Sequence, residues 1–156
     1  MKVLFMCTAN SCRSILSEAM FNHLAPQGFE AISSGSFPKG QVLPRSLSTL
    51  QAAGISTEGL YSKGNDAFEG SPPDIVISVC DKAAQEACPV YFGPAIKAHW
   101  GLEDPSEVVA DEAAISAAFH ATLALIEKRC RALLALPLDQ LDSASLKQHL
   151  DRVSTL

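Results

Sequence analysis

The sequence predicts an α/β fold, a single-domain three-layer sandwich built on a mostly parallel four-stranded sheet. Apolar strand-like segments alternate with helical ones along the chain, an order that implies parallel pairing and right-handed crossovers. The chain has 156 residues, 47% of them hydrophobic, which is enough for one well-buried core and short for two. We therefore expect one domain to cover residues 1–156.

The predicted elements follow from the apolar periodicity. Strands are expected at 2–6, 29–34, 74–79 and 97–100. Helices are expected at 14–24, 44–53, 111–136 and 143–153, with a short one near 66–68. Pro44 at the start of the second helix and Gly54 after its end match the usual preferences at helix termini. Cys130 falls on the apolar stripe of the longest helix, so we expect it in the core.

Active sites of parallel sheets lie at the carboxyl ends of strands, which places Cys7 and Cys80 on one rim.

The composition argues against several classes of function. A net charge of −5 disfavours a nucleic-acid partner, which would require a basic face. No apolar run approaches the roughly 18 residues that a membrane span needs. The first apolar run ends at Cys7, too early for a signal peptide. We expect a cytoplasmic monomer with no membrane partner.

The five cysteines fit a reducing compartment, where thiols serve redox chemistry, catalysis or packing more often than permanent disulfides. No metal site is indicated. Cys80 and Cys88 are separated by seven residues, not two to four, and no paired histidines follow at ligand spacing.

The segment from Cys7 to Ser14 carries the strongest functional signal. A predicted strand leads into Cys7, a short polar loop follows, and a helix begins after the loop. Backbone N–H groups of such a loop bind a tetrahedral oxyanion, helped by the helix dipole, and the same field should lower the pKa of Cys7. Asn10 and Ser14 are expected to brace the loop, and Ser14 to cap the helix or stabilise the thiolate. The candidate anion-binding residues are Thr8, Ala9, Asn10, Ser11, Cys12, Arg13 and Ser14.

The loop sequence Cys-Thr-Ala-Asn-Ser-Cys-Arg-Ser resembles the oxyanion loop of arsenate reductases built on the low-molecular-weight protein tyrosine phosphatase fold. Three further features agree: Cys80 closes a strand, a Cys88-Pro89 pair follows, and the segment from His99 to Pro105 is similar to the family's His-Trp-Gly-aromatic-acid-Asp-Pro segment. The resemblance covers roughly residues 1–130 and implies a low-molecular-weight phosphatase-like fold.

The resemblance also implies roles. Cys7 would attack arsenate, and Arg13 would hold two oxygens through its planar guanidinium. Asp104 would be the general acid. Cys80 would then attack Cys7, releasing arsenite and leaving a disulfide, and Cys88 would carry that disulfide outward to thioredoxin, or to glutaredoxin and glutathione. The expected reductant is thioredoxin, which accepts an intramolecular disulfide. Cys12 has no essential role in the family motif.

Departures from the family pattern concern the loop and the relay. Ala9 stands where many relatives have glycine, which would cost about 1 kcal/mol if that position needs a positive φ. The spacing between Cys80 and Cys88 is one residue longer than in well-known thioredoxin-coupled relatives. No tightly bound cofactor is expected, although some relatives bind potassium beside the loop, and Asn10 and Glu18 are candidates for such a site.

Two alternatives stay open at the level of the sequence. A phosphotyrosine phosphatase would use Cys7, Arg13 and Asp104 but would not need Cys80 or Cys88. Such phosphatases carry Asp-Pro-Tyr where this chain has Asp-Pro-Ser. A thiol sensor or arsenite-binding regulator would need cysteines but no general acid, and usually a DNA-reading helix pair, which the sequence does not show.

Overall fold

A computed structural model of the chain describes residues 1–64, 71–80 and 95–156. Within these ranges four strands form one sheet in the order β2-β1-β3-β4, and each neighbouring pair is parallel. The strands are β1 (Lys2–Cys7), β2 (Glu30–Gly35), β3 (Ile75–Ser78) and β4 (Ile96–His99). The predicted α/β class is confirmed, and each predicted strand end is within one residue of the observed one.

The described helices are α1 (Arg13–Leu24), α2 (Pro44–Ala52), α3 (Glu112–Leu134) and α4 (Ser143–Val153), with short 3-10 helices at Pro105–Glu107 and Leu138–Gln140. The short helix predicted near 66–68 lies outside the described residues. The prediction that Ser14 caps α1 is wrong. Cys12 occupies the N-cap position without a side-chain bond, and the buried Ser14 hydroxyl accepts a hydrogen bond from Asn10 instead.

The core is divided by the sheet, because successive side chains of a strand point to opposite faces. On one face Val3, Phe5 and Cys7 belong to a large buried cluster that includes side chains of all four described helices. Leu4 and Met6 belong to a smaller cluster on the other face. The sulfur of Cys7 is therefore fixed at the end of a strand that is buried on both sides.

The carboxyl ends of the parallel strands meet at one edge of the sheet. The register pairs Cys7 with Gly35, and Cys80 follows the end of β3 by two residues. Cys130 in α3 is fully buried, which confirms its assignment to the core. Among the described residues, no helix combines the length and the apolar character needed to cross a membrane.

Candidate active site

Four carbonyl groups of the loop between β1 and α1 point outward. They accept backbone hydrogen bonds from the segment after β2: Ser36 N to Cys7 O at 3.2 Å, Phe37 N to Thr8 O at 2.9 Å, Lys39 N to Ala9 O at 2.9 Å and Leu43 N to Ser11 O at 3.0 Å. A planar trans peptide points each carbonyl and the next N–H in opposite directions, and no described peptide is cis. The N–H groups of the following residues (Thr8, Ala9, Asn10 and Cys12) therefore face the inside of the loop.

The start of α1 completes this arrangement. The first N–H groups of a helix have no acceptor within it, and the helix dipole makes this end positive. The loop and helix thus direct N–H groups and positive potential to one point in front of the Cys7 sulfur. This geometry suits a tetrahedral oxyanion.

Asn10 supports the loop from behind. Its backbone has φ of 48°, a left-handed conformation that asparagine tolerates better than most residues. The side-chain amide donates to the hydroxyls of Ser14 at 2.8 Å and Ser33 at 3.0 Å, and its carbonyl oxygen accepts from the backbone N–H of Lys63 at 2.9 Å. Ala9 is not among the described residues with positive φ, so the strain considered for that position is not present.

Gly35 is needed because the loop passes very close to it. A Cβ atom at this position would lie 2.5 Å from the carbonyl oxygen of Thr8 and 2.9 Å from the backbone nitrogen of Asn10. Both are backbone atoms, which cannot rotate away. The end of β2 therefore forms one wall of the loop, and only glycine fits there without displacing it.

The side chain of Cys80 interacts with the Cys7 thiol, and both cysteines are buried and reduced. Cys80 Sγ also lies 3.6 Å from Thr8 Oγ1. The Cys80 contact, followed by burial, raises the pKa of Cys7 above the ordinary value of 9.0, whereas the Arg13 guanidinium and the N–H of Thr8 lower it. The sequence-based expectation of a lowered pKa is thus overturned, because the thiol neighbour and burial outweigh the positive field of the loop.

Arg13 and Asp104 face each other across the opening. Arg13 Nη1 donates to the carbonyl of Leu102 at 2.9 Å, and Nη2 lies 3.4 Å from Asp104 Oδ2. Asp104 Oδ1 accepts from both the N–H and the hydroxyl of Ser106. The Ser106 bonds orient the carboxylate so that Oδ2 is the oxygen beside Arg13. Each terminal nitrogen of Arg13 has a second N–H that these contacts do not use.

The segment that carries Asp104 is anchored to the sheet. The N–H of Trp100 donates to Ser78 O at 2.8 Å, and that of Leu102 donates to Val79 O at 3.0 Å. The buried Trp100 ring lies 6.2 Å from the Phe5 ring, and its Nε1 donates to the carbonyl of Leu150. These contacts hold the segment that carries Asp104 in a fixed position relative to Cys7. They also explain why the tryptophan four residues before Asp104 is buried.

These residues surround a cavity of about 630 Å³. Its lining includes four of the predicted catalytic residues, Cys7, Arg13, Cys80 and Asp104, together with Thr8, Ala9, Ser11 and Cys12. Asn10 and Ser14 are fully buried outside the lining. Cys88, the remaining predicted catalytic residue, lies outside the described residues.

Three supporting residues were not recognised in the sequence: Ser33, Gly35 and Lys63. Ser33 and Gly35 end a strand that pairs with β1, so the parallel register could have placed them beside the loop. For Lys63 no local signal exists. Its ammonium lies 3.3 Å from Glu18 Oε1, and burial lowers its pKa while the Glu18 carboxylate opposes that shift.

Comparisons with known proteins agree with this geometry. Residues 2–150 match the family described as low molecular weight phosphotyrosine protein phosphatase. Arsenate reductase 1 of Staphylococcus saprophyticus is 31% identical over 106 residues, which are 67% of this chain and 78% of that protein. A solved structure of an arsenate reductase in the phosphate-binding state has a TM-score of 0.71 and 27% identity, covering 86% of this chain and 96% of that one. A thioredoxin-dependent arsenate reductase of Corynebacterium glutamicum has a TM-score of 0.66 and 26% identity, covering 89% of this chain and 63% of that one.

Proposed function

Because the chain belongs to the low molecular weight phosphotyrosine protein phosphatase family and holds a second thiol against its loop cysteine, we propose that it reduces arsenate to arsenite. The observation that carries this proposal is that Cys80 neighbours Cys7 and lines the same cavity, beside the loop of residues 8–12 between β1 and α1, here called the anion loop. A phosphatase has no use for a second thiol at that point, whereas reduction of As(V) needs two electrons. The named relatives that are arsenate reductases support the same substrate.

The first step joins Cys7 to arsenic. The raised pKa of Cys7 means that its proton has to leave, and the arsenate dianion is itself a base that can accept it. The sulfur then forms the S–As bond while one As–O bond breaks. Asp104, beside the opening, gives a proton to the departing oxygen, which leaves as water. Arg13 and the inward N–H groups of the loop stabilise the negative oxygens.

The second step transfers the electrons. Cys80 loses its proton, which restores the acid form of Asp104, and forms a bond to the Cys7 sulfur. The S–As electron pair returns to arsenic, and As(III) leaves as arsenite. Two thiols are oxidised to a disulfide, so one arsenate and two thiols give one arsenite, one disulfide and one water. Cys88 then attacks Cys80 and frees Cys7, and an external dithiol of the thioredoxin type reduces the resulting disulfide.

The test is an NADPH-coupled assay with arsenate, run with thioredoxin and thioredoxin reductase or with glutaredoxin, glutathione and glutathione reductase. Cys7→Ser and Cys80→Ser should abolish turnover, because a hydroxyl is a far weaker nucleophile than a thiolate at neutral pH. Cys130→Ala removes a core thiol and should keep turnover. Cys88→Ala should stop after one arsenite, with a Cys7–Cys80 disulfide found by peptide mass mapping.

Hydrolysis of para-nitrophenyl phosphate is the phosphatase control. Cys80→Ser should leave that hydrolysis in place, because it needs only one thiol. Repeated arsenate turnover by Cys80→Ser, or hydrolysis without arsenite from the unaltered chain, would contradict the proposal.

A further inference from the structure

The Lys63 ammonium is enclosed by oxygen atoms behind the anion loop. Its Nζ lies 3.0 Å from the carbonyl oxygen of Tyr61, 3.3 Å from Glu18 Oε1 and 3.3 Å from the hydroxyl oxygen of Ser33. Nζ also lies 4.5 Å from the centroid of the Tyr61 ring. Lys63 is 8% exposed, Glu18 is 7% exposed and Ser33 is fully buried. A carboxylate, a hydroxyl and a carbonyl group are oxygen ligands of the kind that hard cations take.

These residues do not fit a bound potassium ion. A cation beside Glu18 would have to share the same three oxygens with an ammonium that already contacts them. Two positive charges held by the same oxygen atoms, the cation and the Lys63 ammonium, would repel each other strongly in a buried site. Asn10 and Glu18, the two residues named as candidates for a potassium site, are here joined through Ser33 and Lys63.

The ammonium is linked to the anion loop by a short chain of hydrogen bonds. The Ser33 hydroxyl donates to Glu18 Oε1 at 2.9 Å and accepts from Asn10 Nδ2 at 3.0 Å. The backbone of Lys63 adds two further contacts, because its N–H donates to Asn10 Oδ1 at 2.9 Å and its carbonyl accepts from the N–H of Gly35 at 2.9 Å. Asn10 is the residue whose left-handed φ turns the loop. The backbone of Lys63 therefore contacts both Asn10, whose side chain supports the loop, and Gly35, at the end of the strand beside the loop.

We propose that Lys63 is a positioning residue whose ammonium serves as a built-in cation of the oxyanion loop, so that oxyanion binding requires no potassium. The charge acts through Glu18, Ser33 and Asn10 and never touches the substrate. Removing it leaves the Glu18 carboxylate buried without its cation and takes one contact away from the Ser33 hydroxyl, to which Asn10 donates. The backbone contacts of Lys63 with Asn10 and Gly35 remain. The inference rests on the proposed function only in treating the loop as an oxyanion site.

The experiment measures phosphate affinity by calorimetry in potassium, sodium and choline chloride. The unaltered chain should bind phosphate equally in all three salts. Lys63→Ala leaves a gap lined by oxygen atoms, so it should bind phosphate about tenfold more weakly in choline and recover in potassium. Lys63→Met fills the gap without charge, so it should bind weakly in every salt. Lys97→Met changes an exposed lysine of β4 and should behave like the unaltered chain.

A folding defect is controlled by a double variant. Glu18→Gln with Lys63→Met removes both buried charges, and near-ultraviolet circular dichroism checks that it folds. Its phosphate affinity should stay weak and independent of the salt; affinity equal to that of the unaltered chain would overturn the proposal. Potassium stimulation of the unaltered chain, or full phosphate affinity of Lys63→Ala in choline, would also overturn it.

Phosphate binding does not use the thiol relay, so the two proposals fail separately. Salt-independent phosphate binding without arsenite formation would refute the reductase and leave the role of Lys63 standing. Arsenite formation that depends on potassium would support the reductase and refute the role of Lys63. In active variants, loss of Lys63 should raise KM for arsenate more than it lowers kcat, because the Lys63 ammonium contacts Glu18, Ser33 and Tyr61 rather than a thiol.

Discussion

The sulfur atoms of Cys7 and Cys80 set the chemistry at the scale of single residues. Two buried thiols that interact this closely lose their protons in two steps, because one negative charge opposes a second. Arg13 and the N–H of Thr8 favour a thiolate on Cys7, whereas Cys80 and burial oppose it. The neighbour that makes electron transfer possible therefore also makes the nucleophile harder to ionise.

Replacing Cys80 should make Cys7 easier to ionise. Cys80→Ala removes the largest cause of the raised pKa, while Arg13 and the N–H of Thr8 still lower it. We expect the rate of Cys7 alkylation by iodoacetamide to reach its midpoint at a lower pH than in the unaltered chain, with the modified cysteine identified by mass spectrometry. A midpoint at higher pH would show instead that Cys80 donates its proton to a Cys7 thiolate.

The end of β2 matters at the scale of the structural element. Strand pairing places Gly35 beside Cys7, and the loop folds back over the glycine so closely that its shape depends on the missing side chain. The same strand contributes Ser33, which touches Asn10 and Glu18. β2 is therefore a rigid support for the anion loop, although none of its residues lines the cavity.

Gly35→Ala should damage the loop more than it damages the fold. Its Cβ would lie 2.5 Å from Thr8 O, so the loop has to move and its N–H groups lose their common direction. We expect phosphate affinity to fall below detection in calorimetry, while urea unfolding shows a loss of about 1–3 kcal/mol. The matched control is Gly28→Ala, where φ is 97° and no atom lies within 4 Å of the new Cβ. This control should lose stability through backbone strain but keep phosphate binding; equal phosphate affinities in the two variants would refute the role of Gly35.

Buried thiols affect the stability of the whole molecule. Burial raises the pKa of Cys12 from 9.0 to about 11 and that of Cys130 from 9.0 to about 12. Above pH 9 the unfolded chain releases these protons while the folded chain keeps them. The folded state therefore binds more protons, and its free energy of unfolding falls as the pH rises.

Urea unfolding at several pH values should show this loss. Each such thiol lowers the free energy of unfolding by about 1.4 kcal/mol per pH unit between pH 9 and its own folded-state pKa. Cys130→Ala removes one of these protons, so its stability should fall less steeply between pH 9 and pH 11, even if it starts lower because of the lost packing. Parallel slopes for the two proteins would contradict this account.

The periodicity of the sequence predicted the strands to within one residue and the four described helices closely, because burial on a sheet or helix imposes a repeat that local sequence must carry. The loop from Cys7 to Ser14 was also recognisable, since a strand, a polar loop and a helix are consecutive in the chain. For Ser14 the alternative of a helix cap was wrong, because its hydrogen bond with Asn10 depends on how the loop turns.

By itself the sequence determined the parallel α/β architecture, the anion loop and the placement of Cys7 and Cys80 at one edge of the sheet. Only the tertiary structure decided the contact of these two thiols and the direction of the Cys7 pKa. It also placed the backbone N–H of Lys63 against the Asn10 side chain, across 53 positions of sequence. Local patterns are set by neighbours in the chain. A hydrogen bond between distant residues, and the burial that shifts a pKa, exist only after the crossovers have brought the strand ends together.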